Sequence, residues 1–179
     1  VTNWKTDTLA DILPEEFYAL IDRNRDHIAK TFPGTLANNT YFEDTVAALG
    51  QSAMNEGRKE NYYYYLRNLD TNALIGYVLV KNIDRKIAKC ELAYFIDKDF
   101  EGKGIITKAV GNLIAFCFEE LHMNKITICT SPVNYGSQRI ALKHGFTKEG
   151  VLRQEFKNGQ GVLEDIFYYG LLRSEYNER

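Results

Sequence analysis

Along the first third of the chain the apolar residues fall at helical spacing. Phe17, Leu20, Ile21 and Ile28 form one stripe behind Pro14, with Glu15 and Glu16 in the first turn. Proline at the first helical position gives up an N–H that has no partner there, and acidic residues suit the positive helix start. The stripe predicts a helix from Pro14 that stops before "FPGT", where Pro33-Gly34 marks a turn. A second helix is predicted over about 42–56, closed by Gly57. Residues 1–13 carry little pattern, and they support only a short first strand near Thr8–Ile12.

The period then changes to two. "NYYYYLRNLDTNALIGYVLVKNIDRKIAKCELAYFID" reads as three strands, over about 61–69, 73–81 and 88–97. Asp70-Thr71-Asn72 and the polar stretch 82–86 supply the turns of an antiparallel meander. In the run Tyr62–Tyr65, alternation sends two rings to each face. The strongest helical pattern follows, over about 104–121, where Ile106, Val110, Leu113, Cys117 and Leu121 recur every three or four residues. "KITICTS" (125–131) reads as a buried strand, and "NYGSQRIALKHGF" as a short helix closed by Gly145. Two last strands, about 146–155 and 161–172, are joined by the hairpin-like "KNGQG". The predicted order is α-α-β-β-β-α-β-α-β-β. No repeat, low-complexity tract or linker divides it, so one domain over 1–179 is expected.

Composition narrows the field. A chain of 179 residues can bury one real core and is short for two. The 22 basic residues nearly balance the 24 acidic ones and form no run, which argues against nucleic acid or an anionic membrane as the main partner. Cys90, Cys117 and Cys129 are widely spaced and make no C-x-x-C, so they read as packing thiols in a reducing compartment. The longest apolar stretch, "ALIGYVLV" at 73–80, is too short to span a bilayer. No signal peptide opens the sequence, and a cytoplasmic protein is expected. His27, His122 and His144 are scattered without metal-ligand spacing, so no metal is expected and surface or cap roles are.

One stretch does not fit plain packing. In "DFEGKGIITKAV" (99–110), Gly102 and Gly104 flank Lys103 between a strand pattern and a helix pattern. The first N–H groups of a helix have no intrahelical acceptor, and the aligned peptide dipoles make that end positive. Glycines let the main chain approach a phosphate with no Cβ between. The amides of about 102–107 would converge on an anion, with Lys103 and Lys108 adding charge. The plainer alternative is that both glycines only shape a tight turn. Two familiar phosphate motifs fail here. A Walker A loop needs Gly-Lys-Ser/Thr, which is absent, and a dinucleotide fingerprint needs a third small residue where Thr107 stands.

The stretch from "ELAYFIDKDFEGKGIITKAV" through "KITICTSPVNYGSQRIALKHGFTKEGVLR" resembles the acetyl-CoA-binding half of the GNAT superfamily of N-acetyltransferases. Four pieces match in order: the strand before the glycines, the long helix, the strand ending before Asn134, and the "HGF" that closes the next helix. "IDRNRDHIAKTFPG" and "TKEGVLRQ" resemble the ribosomal-protein Nα-acetyltransferase (RimJ/RimL-like) branch, and the likeness covers roughly 10–172. The resemblance implies an α+β, mixed α/β fold: a central, twisted, mostly antiparallel sheet of about six to seven strands flanked by about four helices. Its fourth and fifth strands, 88–97 and 125–131, would splay to admit the pantetheine arm. Main-chain groups near Phe95 and Ile96 would bond the arm, and the loop Glu101, Gly102, Lys103, Gly104, Ile105, Ile106, Thr107 would hold the pyrophosphate. Asn134 would also bond the arm, and Lys143 or Arg139 would approach the adenosine phosphates, unless both simply face solvent.

Two positions depart from the family pattern. Asp99 stands where the loop signature usually has Gln or Arg, and Ala141 where many members carry a proton-donating Tyr. The RimJ/RimL-like branch lacks that Tyr too and has a Ser matched here by Ser137. By the same resemblance Glu91 is the candidate base. It shares a strand face with Ala93 and Phe95, and a carboxylate paired across the sheet with a Lys or Arg is the equal alternative. Ser137 either donates to the departing thiolate or only starts a helix. An acetyl-CoA-dependent N-acetyltransferase acting on a protein N-terminal amine is expected, as a monomer or homodimer. A small-amine acetyltransferase (polyamine, amino sugar or amino acid) and a non-catalytic acyl-CoA-binding module remain as alternatives.

Overall fold

The computed structural model describes residues 3–177. One seven-stranded sheet runs through it, in the order β1-β2-β3-β4-β5-β7-β6. The strands are β1 Trp4–Thr8, β2 Tyr62–Asn68, β3 Leu74–Asp84, β4 Lys89–Ile96, β5 Lys125–Thr130, β6 Thr147–Lys157 and β7 Leu163–Leu172. Every neighbouring pair is antiparallel except β4 and β5, which run parallel. Helices of nine or more residues are α1 Pro14–Asp22, α4 Phe42–Gly57, α5 Ile105–Ala115 and α6 Tyr135–Lys143. The helices α2 Arg25–Ile28, α3 Pro33–Ala37 and α7 Arg173–Asn177 are single turns. The mixed fold expected from the sequence is the one observed.

Both faces of the sheet are covered, which is why the strands read as near-continuous apolar runs. On one face, α5 and α6 close a core that includes Val78, Val80, Leu92, Val110, Leu113, Ile126, Ile128 and Leu171. On the other, Phe17, Leu20, Ile21, Ile28 and Leu49 pack over Tyr65, Tyr77, Leu79 and Phe95. Leu20 and Ile21 are fully buried, each contributing on the order of 1.5–3 kcal/mol. The tyrosine run divides as predicted: Tyr62 and Tyr64 meet Phe116 edge-on, while Tyr63 and Tyr65 join the opposite core.

Four boundaries differ from the sequence expectation, each for a physical reason. The first strand is Trp4–Thr8, not Thr8–Ile12, because its inward group is a carboxylate. Asp7 is buried and meets Arg67 Nε of β2 at 2.5 Å, a pairing that apolar alternation does not reveal. Thr8 instead opens a 3₁₀ turn, its hydroxyl and amide both bonded to Asp11 Oδ2. The first long helix breaks at Arg23-Asn24, where Arg23 Nε and Asn24 Oδ1 bond across the fold to Asp97 and Lys98, while Asn24 Nδ2 bonds back to the Leu20 carbonyl. Pro33 starts α3 instead of a turn, sitting at its first position. The long helix ends at Ala115 and passes into a π-helical turn, Phe116–Glu120, whose carbonyl at Phe118 accepts from Arg173 Nη2 at 2.6 Å. Cys90 and Cys117 are buried as expected, but Cys129 is only half-buried. No helix among the described residues is long and apolar enough to cross a membrane.

Candidate active site

The sheet opens between its two parallel strands. β4 and β5 pair only at Lys89–Lys125, Cys90–Ile126 and Glu91–Thr127. Beyond that point β4 stays on β3, with Leu92 opposite Val80 and Ile96 opposite Gly76. β5 stays on β7, with Ile128 opposite Tyr169 and Thr130 opposite Phe167. The facing edges of the two strands are therefore left without a ladder partner in a widening gap, with Phe95 and Ile96 on one lip. Buried amide and carbonyl groups need partners, so such an edge suits an extended, amide-bearing ligand.

The glycine loop sits at the mouth of this gap. A 3₁₀ turn over Lys98–Phe100 leads into it, capped by Asp97, whose Oδ1 accepts the Asp99 amide at 3.1 Å. Gly102 has φ +69° and Gly104 φ +75°, the left-handed region that L side chains rarely adopt. Gly104 is the N-cap of α5 and has no side chain to bond the amides of Ile105, Ile106 and Thr107. A Cβ placed on either glycine would meet no heavy atom within 4 Å. The glycines are thus required by backbone conformation, and a side chain there would project into open space without touching the protein. Ile105 and Ile106 bury their side chains, so they can contribute only main-chain N–H groups.

Two charged side chains of the loop are tied back. Lys103 Nζ donates to the Asp99 carbonyl at 2.7 Å and lies 4.5 Å from the centre of the Phe100 ring. The Glu101 carboxylate turns toward His27 Nε2 of α2, 3.3 Å away. Helix α6 runs beside α5, joined by His144 Nε2 and the Thr107 carbonyl at 2.8 Å. Lys143 and Arg139 are exposed on α6.

Glu91 and Ser137 approach the gap from opposite faces. Glu91 lies at the last paired position of β4, on the Ala93–Phe95 face, with Oε1 3.2 Å from Lys81 Nζ and Oε2 2.8 Å from Asn82 Nδ2. The cross-sheet ion pair weighed as an alternative is present. Burial, together with the Glu91 charge, pushes the nearby Cys129 thiol up to about 12. Ser137 lies in the first turn of α6, where its amide donates to Asn134 Oδ1 at 3.1 Å. Its Oγ is 3.0 Å from the hydroxyl of Tyr94 on β4.

Three groups near the gap have partners that apolar spacing does not reveal. Tyr94 was visible only as one ring in an apolar strand. Asn24 is buried, with Oδ1 accepting the Lys98 amide at 3.0 Å and Nδ2 donating to the Leu20 carbonyl at 2.9 Å. Glu164 of β7 accepts from Ser131 Oγ at 3.1 Å and from Asn158 Nδ2 at 2.5 Å, tying the end of β5 to the β6–β7 turn. A polar residue at an inward strand position was the available signal for Glu164.

A family model described as an acetyltransferase (GNAT) domain matches residues 9–147. The putative ribosomal N-acetyltransferase YdaF of Bacillus subtilis (strain 168) is 39% identical over 104 residues, 58% of this chain and 56% of that protein. The match thus spans little more than half the length of that curated relative. The structure of microcin C7 self immunity acetyltransferase MccE, in complex with acetyl-CoA and AMP, is 27% identical with a TM-score of 0.78, over 89% of this chain and 86% of that one. The ribosomal-protein-S5-alanine acetyltransferase from Vibrio fischeri shares the fold at a TM-score of 0.85 and 21% identity, over 98% and 96% of the two chains. The model's match to residues 9–147 settles the family: the chain belongs to the acetyltransferase (GNAT) domain family.

Proposed function

We propose that this chain transfers the acetyl group of acetyl-CoA to a primary amine, and that the amine is the N-terminal α-amine of a protein, in the cytoplasm. The observation that carries the reading is the parting of β4 from β5 directly beside the glycine-shaped start of α5. The fit to the coenzyme is physical. Three N-terminal amides beside open space that no Cβ of Gly102 or Gly104 occupies suit a diphosphate, and two strand edges without a ladder partner suit an amide-bearing arm. YdaF, named a putative ribosomal N-acetyltransferase, and MccE, solved with acetyl-CoA, support donor and acceptor class.

In this reading the loop Glu101–Thr107 holds the pyrophosphate through its main chain, with Lys103 and Lys143 supplying charge. Main-chain groups of Phe95 and Ile96 and the side-chain amide of Asn134 hold the arm. Bound there, acetyl-CoA supplies an activated acyl thioester. Glu91 takes the proton that the amine loses, directly or through water, and a main-chain N–H near Phe95 polarises the carbonyl oxygen. Ser137 donates to the sulfur as it leaves. Alignment alone can lower such a barrier by about 7–11 kcal/mol. An α-amine, with a pKa of about 7.7–8.0, is partly neutral near neutral pH, whereas a lysine at about 10.4 is almost wholly charged. A modest base then suffices, which favours the α-amine.

The test is acetyl-CoA consumption measured against N-terminal peptides, a polyamine and an aminoglycoside, with coenzyme A titrated first by calorimetry. Turnover on peptides with a free α-amine, abolished by blocking that amine, is expected. Turnover on the small amines alone would overturn the acceptor assignment, and CoA binding without any turnover would leave a binding module.

A further inference from the structure

Tyr94 and Ser137 come from different sides of the gap and share a hydrogen bond across it. Tyr94 belongs to β4, between Ala93 and Phe95, and its ring packs on the core beneath α5 and α6. Ser137 belongs to the first turn of α6, beyond the end of β5. Their oxygens are 3.0 Å apart. The two hydroxyls are not equal partners. A phenol is the stronger acid and the better donor, and an aliphatic hydroxyl oxygen is the better acceptor. Burial pushes the Tyr94 phenol up to about 12, against the opposing effect of the Ser137 bond, so the ring keeps its proton at neutral pH. The serine amide is already committed to Asn134 Oδ1. With its oxygen accepting and its amide tied, the one group Ser137 has left to offer is its own hydroxyl hydrogen.

We propose that Tyr94 is a positioning residue: its hydroxyl donates to Ser137 Oγ and so turns the serine O–H toward the sulfur that departs. The proposal rests on the transferase reading above and adds a residue to it. In the step served, the amine nitrogen bonds to the thioester carbonyl carbon, the carbon–sulfur bond breaks, and sulfur leaves with the electron pair. The surplus proton of the amine goes to Glu91 or water. No proton leaves Tyr94, which acts only by polarising and orienting the serine. A hydrogen bond to a group that becomes charged in the transition state is strengthened there, so its loss falls on kcat and not on coenzyme binding.

The test combines Tyr94→Phe, Ser137→Ala and the double variant, with kcat for acetyl transfer and calorimetric Kd for coenzyme A. Tyr94→Phe is expected to lower kcat by roughly tenfold with Kd within about twofold of wild type. In the Ser137→Ala background the same change should cost nothing further. A wild-type kcat for Tyr94→Phe, or losses that multiply in the double variant, would overturn the proposal. Should Tyr94→Phe lose coenzyme binding, 3-fluorotyrosine at position 94 decides. Its more acidic phenol should bring an alkaline fall of kcat to lower pH than in wild type, and an unshifted profile would overturn the assignment. A wild-type protein that neither binds coenzyme A nor consumes acetyl-CoA fails at the earlier step and removes the transferase reading itself.

Discussion

The side chain of Asn24 accepts the backbone amide of Lys98 at 3.0 Å, and it is one of three contacts that fasten the α1–α2 kink to the segment entering the glycine loop. Arg23 Nε meets Asp97 Oδ2 at 2.5 Å, Arg23 Nη2 donates to the Leu74 carbonyl, and His27 reaches Glu101. The same kink holds the α3–α4 connection, because Arg25 Nη2 donates to the Asn39 carbonyl at 2.8 Å. Asn24→Ala removes a buried partner from both Lys98 and Leu20, which costs about 1–3 kcal/mol for groups left unsatisfied. The expected outcome is a lower Tm together with a severalfold rise in KM for acetyl-CoA, larger than any change in acceptor KM. Steady-state kinetics with each substrate varied in turn checks it, and equal changes in both would place the effect on global stability alone.

The β6–β7 turn leans on the C-terminal end of α2 with no clearance. A Cβ at Gly159 would lie 1.9 Å from the Ala29 carbonyl oxygen and 3.0 Å from its carbon, both main-chain atoms. Asn158 is buried beside it, its Oδ1 accepting the amides of Gln160 at 2.9 Å and Val162 at 3.1 Å, so the turn cannot easily tilt away. Gly159→Ala should therefore force apart the hairpin and α2, at a cost of about 1–3 kcal/mol. Urea unfolding should show the lost stability. Because Asn158 also holds Glu164 on the Glu91 face, acceptor KM should rise while the Kd for coenzyme A stays near wild type.

Acid should unfasten the N-terminal edge of the sheet. Arg67 bonds Glu16 through Nη1 at 2.6 Å as well as Asp7, and its guanidinium holds the Glu16 carboxyl below its ordinary 4.5. Burial works against the Asp97 carboxylate, but the Asp99 amide and the Arg23 guanidinium together hold it below its ordinary 3.8. A carboxylate whose folded pKa is depressed binds its proton more readily when unfolded. Its stabilisation is therefore complete above the unfolded pKa and is lost as pH falls through the folded one. Unfolding midpoints should hold between about pH 7 and 5 and fall below about pH 4.5. Glu16→Gln, less stable at neutral pH, should lose less on acidification, so the two proteins should converge. Parallel curves in urea at each pH would show that Glu16 is not one of the groups responsible.

The parts of this molecule that apolar spacing governs were legible in the sequence. The meander of β2, β3 and β4, helix α4 and helix α6 all lie within a residue or three of their expected bounds. What spacing could not show were elements held by polar groups. β1 is fastened by Asp7 and Arg67, and the kink at Arg23-Asn24 by bonds to residues more than seventy positions away. The glycine loop was legible because positive φ leaves a direct mark on residue choice. The bond from Tyr94 to Ser137 was not, since nothing in an apolar strand says which ring will find a hydroxyl 43 residues on.

The loop glycines offer a separation that most binding-site residues do not allow. Alanine at position 104 would keep φ near +75°, where an L residue is strained by about 1–2 kcal/mol, yet its Cβ would meet no protein atom within 4 Å. If the two glycines only shaped a turn, Gly104→Ala would cost that strain and nothing else. If they clear the approach of a diphosphate to the amides of Ile105, Ile106 and Thr107, the methyl group would stand between ligand and main chain. We expect the Kd for coenzyme A to rise at least tenfold with a Tm loss of only a few degrees, and the Kd for pantetheine, which lacks the diphosphate, to change little. Calorimetry with both ligands on wild type and variant measures the difference. An unchanged Kd for coenzyme A would return Gly102 and Gly104 to a purely conformational role.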